Sequence, residues 1–483
     1  MFLLKRNDKL SLYIICFGII LLAIIIGINV SKITDFVMAF LAKSSNTLGG
    51  RVNVIITYIV LVTIPIAPFV LQLLKPVPII ALTISLLPLF QRMQPVFGIY
   101  AYTDFNGNQI SISGISIFAP LLLGYLLIRY PTKGGWRLPS CNAYWVLAAS
   151  GVITQFFFFP SSSALRIGYL VIVVQLILYL TVIKYVNTIK DAYTIIWGII
   201  IAGIIYTLLT IFTTGEEGEL MLQSEGYGRL RSIGGLATHY GLLMASLLSL
   251  LPILYYRSQK LGKIIILSFV PIFFRGLLLT GARAAYLSLL PILGYLFIFR
   301  SKKKHIIPFI FTFIIVFAVY GDQISLYLTE RPFDLGDLSV QTRYYMISYT
   351  LSKLISWPHF LIGFGLGTLE NWITIIGSPQ HAIQGVHEGF LSVWVTTGLA
   401  GLLGFLFWLG YSVWAGIRKA HSYYEFEGKL LLFGLVISVS CWVFFFLIGE
   451  GSYTTAHPEL YAIFTTKMGL LVALGQKEKY TLK

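Results

Sequence analysis

The chain has 483 residues, of which 57% are hydrophobic and only 11% are charged, and its formal net charge is +16. Soluble globular domains carry about 25% charged residues, so this composition excludes an ordinary soluble protein and indicates an integral membrane protein. The excess of Lys and Arg stands mostly in short stretches between apolar runs, where basic residues set the orientation of a membrane protein. A nucleic-acid partner is therefore not predicted.

Apolar runs that could cross a bilayer, or nearly so, follow one another along most of the chain. A spanning helix needs about 20 residues, and we treat the first run as a retained helix. The sequence therefore predicts an all-α polytopic integral membrane protein with about 12–14 transmembrane helices. The runs lie at about 10–30, 52–74, 77–90, 110–128, 143–159, 165–183, 192–212, 234–255, 263–280, 284–299, 305–320, 387–413, 429–449 and 458–475.

The charge pattern predicts the topology. Most of the 35 Lys and Arg residues fall in alternate loops, and these loops are predicted to be cytoplasmic together with both termini. The chain then divides into transmembrane helices over 1–320, one large extracytoplasmic loop over 321–386, and C-terminal transmembrane helices over 387–483. Long loops of this kind in compact membrane proteins are often functional.

Two groups of arginines stand at predicted extracytoplasmic helix ends. Arg275 and Arg283 lie in or beside apolar runs, where an ionisable residue is a functional candidate and snorkelling to the interface is the alternative. Arg229 and Arg231 precede an apolar run and stand among glycines, a setting that suits anion binding. A planar guanidinium donates two parallel hydrogen bonds to a phosphate. These arginines are candidate diphosphate-binding residues.

Three further candidates are histidines or lie beside one. His387 stands where the large loop meets a new apolar run, and its imidazole suits a general base near neutral pH. Glu388 follows it, although adjacent helical residues do not face each other. His239 lies near the start of the run that follows Arg231, where a packed helix histidine is the alternative.

Metal sites and disulfides are not predicted. Three cysteines (Cys16, Cys141 and Cys441) lie in or beside apolar runs without CxxC or Cys/His spacing, and they are interpreted as small apolar residues. The acidic segment at 215–219 has no His or Asp at ligand spacing, so it is interpreted as a solvated loop.

Three segments in one order resemble the O-antigen ligase and polymerase superfamily of bacterial membrane glycosyltransferases. They are RLRSIGGLATHYGLLMASL at 229–247, LTGARAAYLSL at 279–289, and the stretch from Arg343 through LIGFGLGTLE to HEGFLSVWVTTGLAGLLGFL at 387–406. The chain departs from the family pattern at Ala284, where Gly is frequent, and at Glu388, where Asn is frequent.

The resemblance implies an enzyme of the cytoplasmic (inner) membrane that passes a glycan from an undecaprenyl-diphosphate carrier to an acceptor glycan on the extracytoplasmic face. It implies a metal-independent, inverting glycosyltransferase that uses no cofactor. His387 would then be the general base, Arg231 and Arg283 would neutralise the diphosphate, and Arg343 would shape the loop or bind substrate. Arg229, Arg275, His239 and Glu388 are further candidates for substrate binding. Besides the bilayer, a chain-length regulator is a candidate partner.

Three functions remain open from the sequence. The leading hypothesis is a polymerase that joins lipid-linked repeat units into a surface polysaccharide. A ligase of the same superfamily, which moves finished glycan to lipid A core or another acceptor, shares its motifs and topology. A flippase or exporter of lipid-linked oligosaccharide would be expected to show two-halved symmetry, which the sequence does not show.

Overall fold

The structure is a computed structural model of the chain, and it describes twelve stretches of it. These are residues 75–92, 100–103, 109–111, 124–126, 130, 139–158, 174–217, 237–280, 283–329, 347–365, 389–448 and 458–476.

The described residues are almost entirely helical. In chain order the α-helices are α1 (Pro76–Arg92), α2 (Pro139–Phe158), α3 (Leu176–Tyr185), α4 (Ile189–Glu217), α5 (Ala237–Leu248), α6 (Leu251–Arg257), α7 (Lys260–Leu279), α8 (Arg283–Leu287), α9 (Gly294–Ile298), α10 (Ile307–Thr329), α11 (His359–Ile362), α12 (Gly389–Ser422), α13 (Phe426–Ile448) and α14 (Pro458–Gln476). Short 3₁₀ turns at Leu290–Leu293, Phe299–Ser301 and Lys303–His305 link α8 to α10, and residues 347–354 are also helical.

This architecture confirms the predicted all-α polytopic membrane fold. Within the described ranges, six helical stretches are long and apolar enough to cross a membrane, and four shorter apolar helices accompany them. The runs predicted at 10–30 and 52–74 lie outside the described residues, so the total of 12–14 spanning helices stays a prediction. The three-part division of the chain also stays a prediction, and α10 continues past residue 320 to Thr329.

A short hairpin is a local feature that the hydropathy pattern missed. Strands β1 (Tyr100–Thr103) and β2 (Gln109–Ser111) pair in antiparallel register, so the apolar run expected to be helical from 110 begins in a strand. The sequence between them contains Asn106 and Gly107, the dipeptide most typical of tight hairpin turns. This signal could have identified the hairpin.

Helix α12 is the centre of the packing. It contacts α2 on one side and α13 and α14 on the others. Its fully buried Trp408 makes edge contacts with Tyr144 of α2 and Phe464 of α14, at ring-centroid distances of 5.0 and 6.0 Å. By contrast, α10 exposes large apolar side chains such as Phe311 and Val319, as a helix at the lipid boundary of a bundle does.

Glycines allow pairs of helices to approach at backbone distance. A Cβ atom at Gly198 of α4 would lie 2.6 Å from the carbonyl oxygen of Ala81 in α1. Ser85 of α1 also donates a hydrogen bond of 3.2 Å to the Gly198 carbonyl. Small residues at such crossings are the usual means of tight helix association in membranes, where apolar burial drives association weakly.

We expect Gly198→Ala to destabilise the protein, because the added methyl group must push α4 away from the backbone of α1. Overpacking of this kind costs about 1–3 kcal/mol. The measurement is the thermal unfolding midpoint of the purified protein in detergent. The control is Gly321→Ala in α10, where a Cβ atom meets nothing within 4 Å; equal midpoints for both variants would contradict the close approach.

Candidate active site

Three helix ends meet at one end of the bundle. Helix α5 packs against both α7 and α8. A Cβ atom at Gly241 of α5 would lie 2.6 Å from the Cβ of Ala285 in α8 and 2.9 Å from Thr280 Oγ1, just after α7. The absence of a side chain at Gly241 therefore lets these elements touch. We call this region, formed by the starts of α5 and α8 and the end of α7, the converging end.

Two predicted site residues have their backbones at the converging end. Arg283 is the first residue of α8, two residues before Ala285. His239 is the third residue of α5, two residues before Gly241. Because Gly241 and Ala285 are in contact, the structure brings these two positions into one region. The side chains of Arg283 and His239 lie outside the described part of the chain.

Local hydrogen bonds join α8 to the end of α7. The hydroxyl of Tyr286 in α8 donates to the carbonyl of Leu278 in α7 at 3.0 Å. Thr280, which is fully buried, donates through its side chain to the Leu277 carbonyl at 2.6 Å. The first turn of α8, and with it the Arg283 backbone, is held against the end of α7.

Arg275 is the one predicted site residue whose side chain is described. It lies in the last two turns of α7, and its side chain is exposed. Among the residues that the structure describes, it has no hydrogen-bond or ion-pair partner. Its neighbour Gly276 faces α5, where a Cβ atom would lie 2.9 Å from the Tyr240 hydroxyl. The predicted role of Arg275 in substrate binding is not tested by this placement.

Five predicted site residues lie outside the described residues, and only their neighbours in the chain can be placed. Helix α5 begins six residues after Arg231, and α12 begins directly after Glu388. The other three residues in this group are Arg229, Arg343 and His387.

The start of α12 lies at the same end of the bundle as the starts of α5 and α8. Ser438 of α13 donates to the Ser246 carbonyl of α5 at 2.9 Å, and Gly434 of α13 faces Ile253 of α6. Helix α13 thus runs opposite to α5, and its last residues point to the converging end. There Phe446 of α13 contacts Phe390 at the start of α12, with ring centroids 5.9 Å apart.

The opposite end of the bundle carries the basic loops. Arg257 forms an ion pair of 3.4 Å with Glu427. Lys302 donates to the Tyr256 hydroxyl at 3.0 Å and lies 4.4 Å from the ring centroid of Phe426. Three loops predicted to be cytoplasmic therefore meet at this end, away from the converging end.

Helix α12 is interrupted at Gly398, nine residues after its first residue, Gly389. Gly398 has φ 70° and ψ −177°, so the helix is interrupted between Gly389–Thr397 and the longer part that follows. Residues 359–365, which end in the Gly-rich sequence LIGFG, pack against α12 at this interruption. Residues 359–365, which lie within the predicted large loop, are therefore joined to the helix that follows His387.

The described ranges hold no group of three or more His, Cys, Asp or Glu side chains that could bind a metal ion. Metal independence of the reaction stays a prediction. The buried cysteines Cys141 and Cys441 are free thiols within the helical core, as expected for small apolar residues.

Comparison with known families finds one match within the chain. Residues 267–406 match the family model described as O-antigen ligase. This segment belongs to the O-antigen ligase and polymerase superfamily. The match covers less than a third of the chain and contains Arg275, Arg283, Arg343, His387 and Glu388. No curated protein matches the chain.

The O-antigen ligase match confirms the superfamily that the sequence motifs indicated. It supports a membrane glycosyltransferase of the O-antigen ligase or polymerase type that uses lipid-linked glycan. Arg229, Arg231 and His239 precede the matched O-antigen ligase segment, so their assignment depends on the motif and on the contact of α5 with α8.

The structure also reveals a buried cation that lies outside the O-antigen ligase segment. Lys467 of α14 is fully buried, and its ammonium group donates to Ser246 Oγ of α5 at 2.9 Å and to Ser438 Oγ of α13 at 2.8 Å. No carboxylate forms an ion pair with it among the described residues. In the sequence, Lys467 is visible only as an interruption of an apolar run, although an intramembrane Lys is itself a functional signal.

Lys467 binds three helices together through hydroxyl groups. The Ser246 hydroxyl also lies 2.9 Å from the Leu243 carbonyl, and the Ser438 hydroxyl donates to the Ser246 carbonyl. Each serine can thus donate its hydroxyl hydrogen to a backbone carbonyl and accept from the ammonium group. The Lys467 ammonium group therefore needs both serines as hydrogen-bond acceptors, whereas each serine would keep a backbone partner without Lys467.

We expect Ser438→Ala to destabilise the protein by about 1–3 kcal/mol, because a buried charged donor loses a partner. In a Lys467→Met background the same change should cost much less, since methionine fills a similar volume and needs no acceptor. A double-mutant cycle of thermal unfolding midpoints in detergent measures this coupling. Ser422→Ala, at an exposed position, serves as the control; additive effects of Ser438→Ala and Lys467→Met would disprove the coupling.

Proposed function

We propose that this protein polymerises lipid-linked repeat units of a cell-surface polysaccharide. It takes the growing glycan from an undecaprenyl-diphosphate carrier and passes it to an acceptor glycan on the extracytoplasmic face of the cytoplasmic membrane. The O-antigen ligase match supports the reaction class. The observation that carries the proposal is the convergence of the starts of α5, α8 and α12, the three helix starts that the motifs singled out.

The proposed chemistry is a single displacement. A hydroxyl group of the acceptor attacks the anomeric carbon of the donor sugar, and the bond from that carbon to the diphosphate breaks. The hydroxyl proton passes to His387 as general base, and the lipid diphosphate leaves with the bonding electron pair. Attack from the face opposite the leaving group inverts the anomeric configuration.

The arginines act on the leaving group. Arg231 and Arg283 neutralise the negative charge that develops on the diphosphate, and Arg229, Arg275 and Arg343 extend the basic surface for the carrier. Electrostatic stabilisation by preorganised groups of this kind is usually the largest single contribution to catalysis. His239 and Glu388 contact the substrates at the starts of α5 and α12. The contact of Gly241 with Ala285 supports joint action of Arg231 and Arg283, because it joins the helix that follows Arg231 to the helix that begins at Arg283.

We expect Arg283→Ala to lower kcat about 10²–10³-fold, as loss of a preorganised charge does. His387→Ala should lower kcat about 10²–10⁴-fold, as loss of a general base does. The assay uses purified protein in detergent with the lipid-linked repeat unit alone, with EDTA and without nucleotide. Glycan length is read on a gel, and the released lipid diphosphate is quantified.

The matched controls are Arg418→Ala and His421→Ala, which lie in the last turns of α12 at the opposite end of the bundle. Both should retain polymer formation. Unchanged activity of His387→Ala would refute the proposed base. Transfer that needs a second, different acceptor would identify a ligase, and movement of the lipid across vesicles without turnover would identify a transporter.

A further inference from the structure

We propose that residues 359–365 form a clamp on the break in α12 and that this clamp positions the start of α12 for the transfer reaction. This inference rests on the proposed function, because the start of α12 directly follows His387 and Glu388 in the chain. Gly363, Trp394 and Gly398 are then positioning residues, which act through the helix rather than on the substrate.

The break divides α12 into two unequal parts. The 24 residues after Gly398 reach about 36 Å at 1.5 Å per residue, enough to cross the hydrocarbon core unaided. The nine residues from Gly389 to Thr397 are therefore not needed for the span, and their direction is set separately. The contacts that hold this first part therefore determine the position of Gly389, where the chain enters α12.

Backbone contact at two glycines holds the two segments together. A Cβ atom at Gly363 would lie 2.6 Å from both the Gly398 nitrogen and the Val395 oxygen, and one at Gly398 would overlap the Leu361 carbonyl. Both glycines have positive φ, 73° and 70°. A side chain at either position meets both a steric and a conformational barrier.

Hydrogen bonds fix the orientation of the first part of α12 on the clamp. The Phe364 amide donates to the Val395 carbonyl at 2.7 Å, and the Trp394 indole donates to the Phe360 carbonyl at 3.0 Å. Each bond joins the clamp to the part of α12 before the break. In a continuous helix the Val395 carbonyl would have accepted from the backbone of α12 itself.

Helix α2 closes the third side of the clamp. Ser150 donates to the Thr397 carbonyl at the break, and Thr154 donates to the Ile362 carbonyl in the clamp. One helix therefore holds both partners through hydroxyl groups one turn apart. The break is anchored to the bundle core, because α2 also packs along the second part of α12.

Apolar packing completes the clamp. Leu354, Phe364, Leu391 and Val395 form a small buried cluster separate from the main core. His359 stacks on Phe364 with ring centroids 4.0 Å apart, and its Nδ1 donates to the Gly363 carbonyl at 3.1 Å. The cluster joins residues just before the clamp to the first turn of α12, next to the chain that carries the proposed base.

Two variants with matched controls in the same helix test the clamp. Trp394→Phe removes one hydrogen bond and keeps an aromatic ring, and Trp414→Phe is its control at an exposed tryptophan. Gly398→Ala blocks the close approach, and Gly410→Ala is its control, where a Cβ atom meets nothing within 4 Å. Both clamp variants are made in the full chain and assayed for polymer formation from the lipid-linked repeat unit.

We expect Trp394→Phe to lower kcat about 2- to 10-fold, the range of one hydrogen bond, with the KM for the donor unchanged and the thermal midpoint lowered only by the loss of that one bond. Gly398→Ala should lower kcat about 100-fold or more, as a misplaced catalytic group does. If these residues had only a structural role, the variants would lower the thermal midpoint and would not lower kcat at an unchanged KM. If Gly398→Ala does not fold, the kcat and KM of Trp394→Phe alone test the positioning role.

Amide hydrogen exchange tests the clamp without any activity. The Phe364 amide should exchange slowly in the wild type and in Gly410→Ala, and fast in Gly398→Ala. Fast exchange of Phe364 in the wild type would overturn the clamp itself. Full activity of both clamp variants would overturn its positioning role. A protected Phe364 amide in a wild type that transfers no glycan would overturn the proposed function, and the positioning role with it.

Discussion

Within a bilayer, a backbone carbonyl released by a break in a helix must find its hydrogen-bond donor inside the protein. The break of α12 at Gly398 shows how this chain meets that constraint. The carbonyls of Val395 and Thr397 accept from the Phe364 amide and the Ser150 hydroxyl. A break at this point is possible only because the Gly-rich segment and α2 are both in place. Residues 359–365, which lie within the predicted large loop, are thus packed into the helical bundle rather than appended to it.

A glycine without a side chain allows close approach at three contacts between elements of the bundle. Gly198 admits the backbone of α1, Gly241 admits α8 and the end of α7, and Gly398 admits the clamp. Lipid is as apolar as the side chains it would replace, so helices in membranes gain by close packing and hydrogen bonding rather than by burial. In this chain the residues with no side chain mark where the elements of the converging end and of α12 meet. Their positions relate the fold directly to the proposed site.

The sequence predicted the class of fold and the superfamily, and it failed mainly where a conformation depends on contacts between residues that are distant in the chain. Hydropathy identifies α12 because its apolar run is long, but it cannot show that Gly398 adopts positive φ, since that depends on the contact with Leu361 far away in the chain. The contact of Gly241 with Ala285, which brings α5 and α8 together, is equally non-local. The hairpin at Tyr100–Ser111 escaped because a window that averages apolar character does not register alternation or a turn dipeptide.

Lys467 shows why a charge can remain in such a core. An ammonium group in hydrocarbon is expensive unless polar groups replace its water, and here the hydroxyls of Ser246 and Ser438 lie within 2.9 Å. Those hydroxyls belong to α5 and α13, the helices whose antiparallel contact aligns the start of α5 with the end of α13. A sliding of either helix by one turn, about 5.4 Å, would withdraw an acceptor from the buried cation. Burial of Lys467 therefore disfavours such a slide, and the register that it favours is the one in which α5 contacts α8 and α13 contacts the first turn of α12.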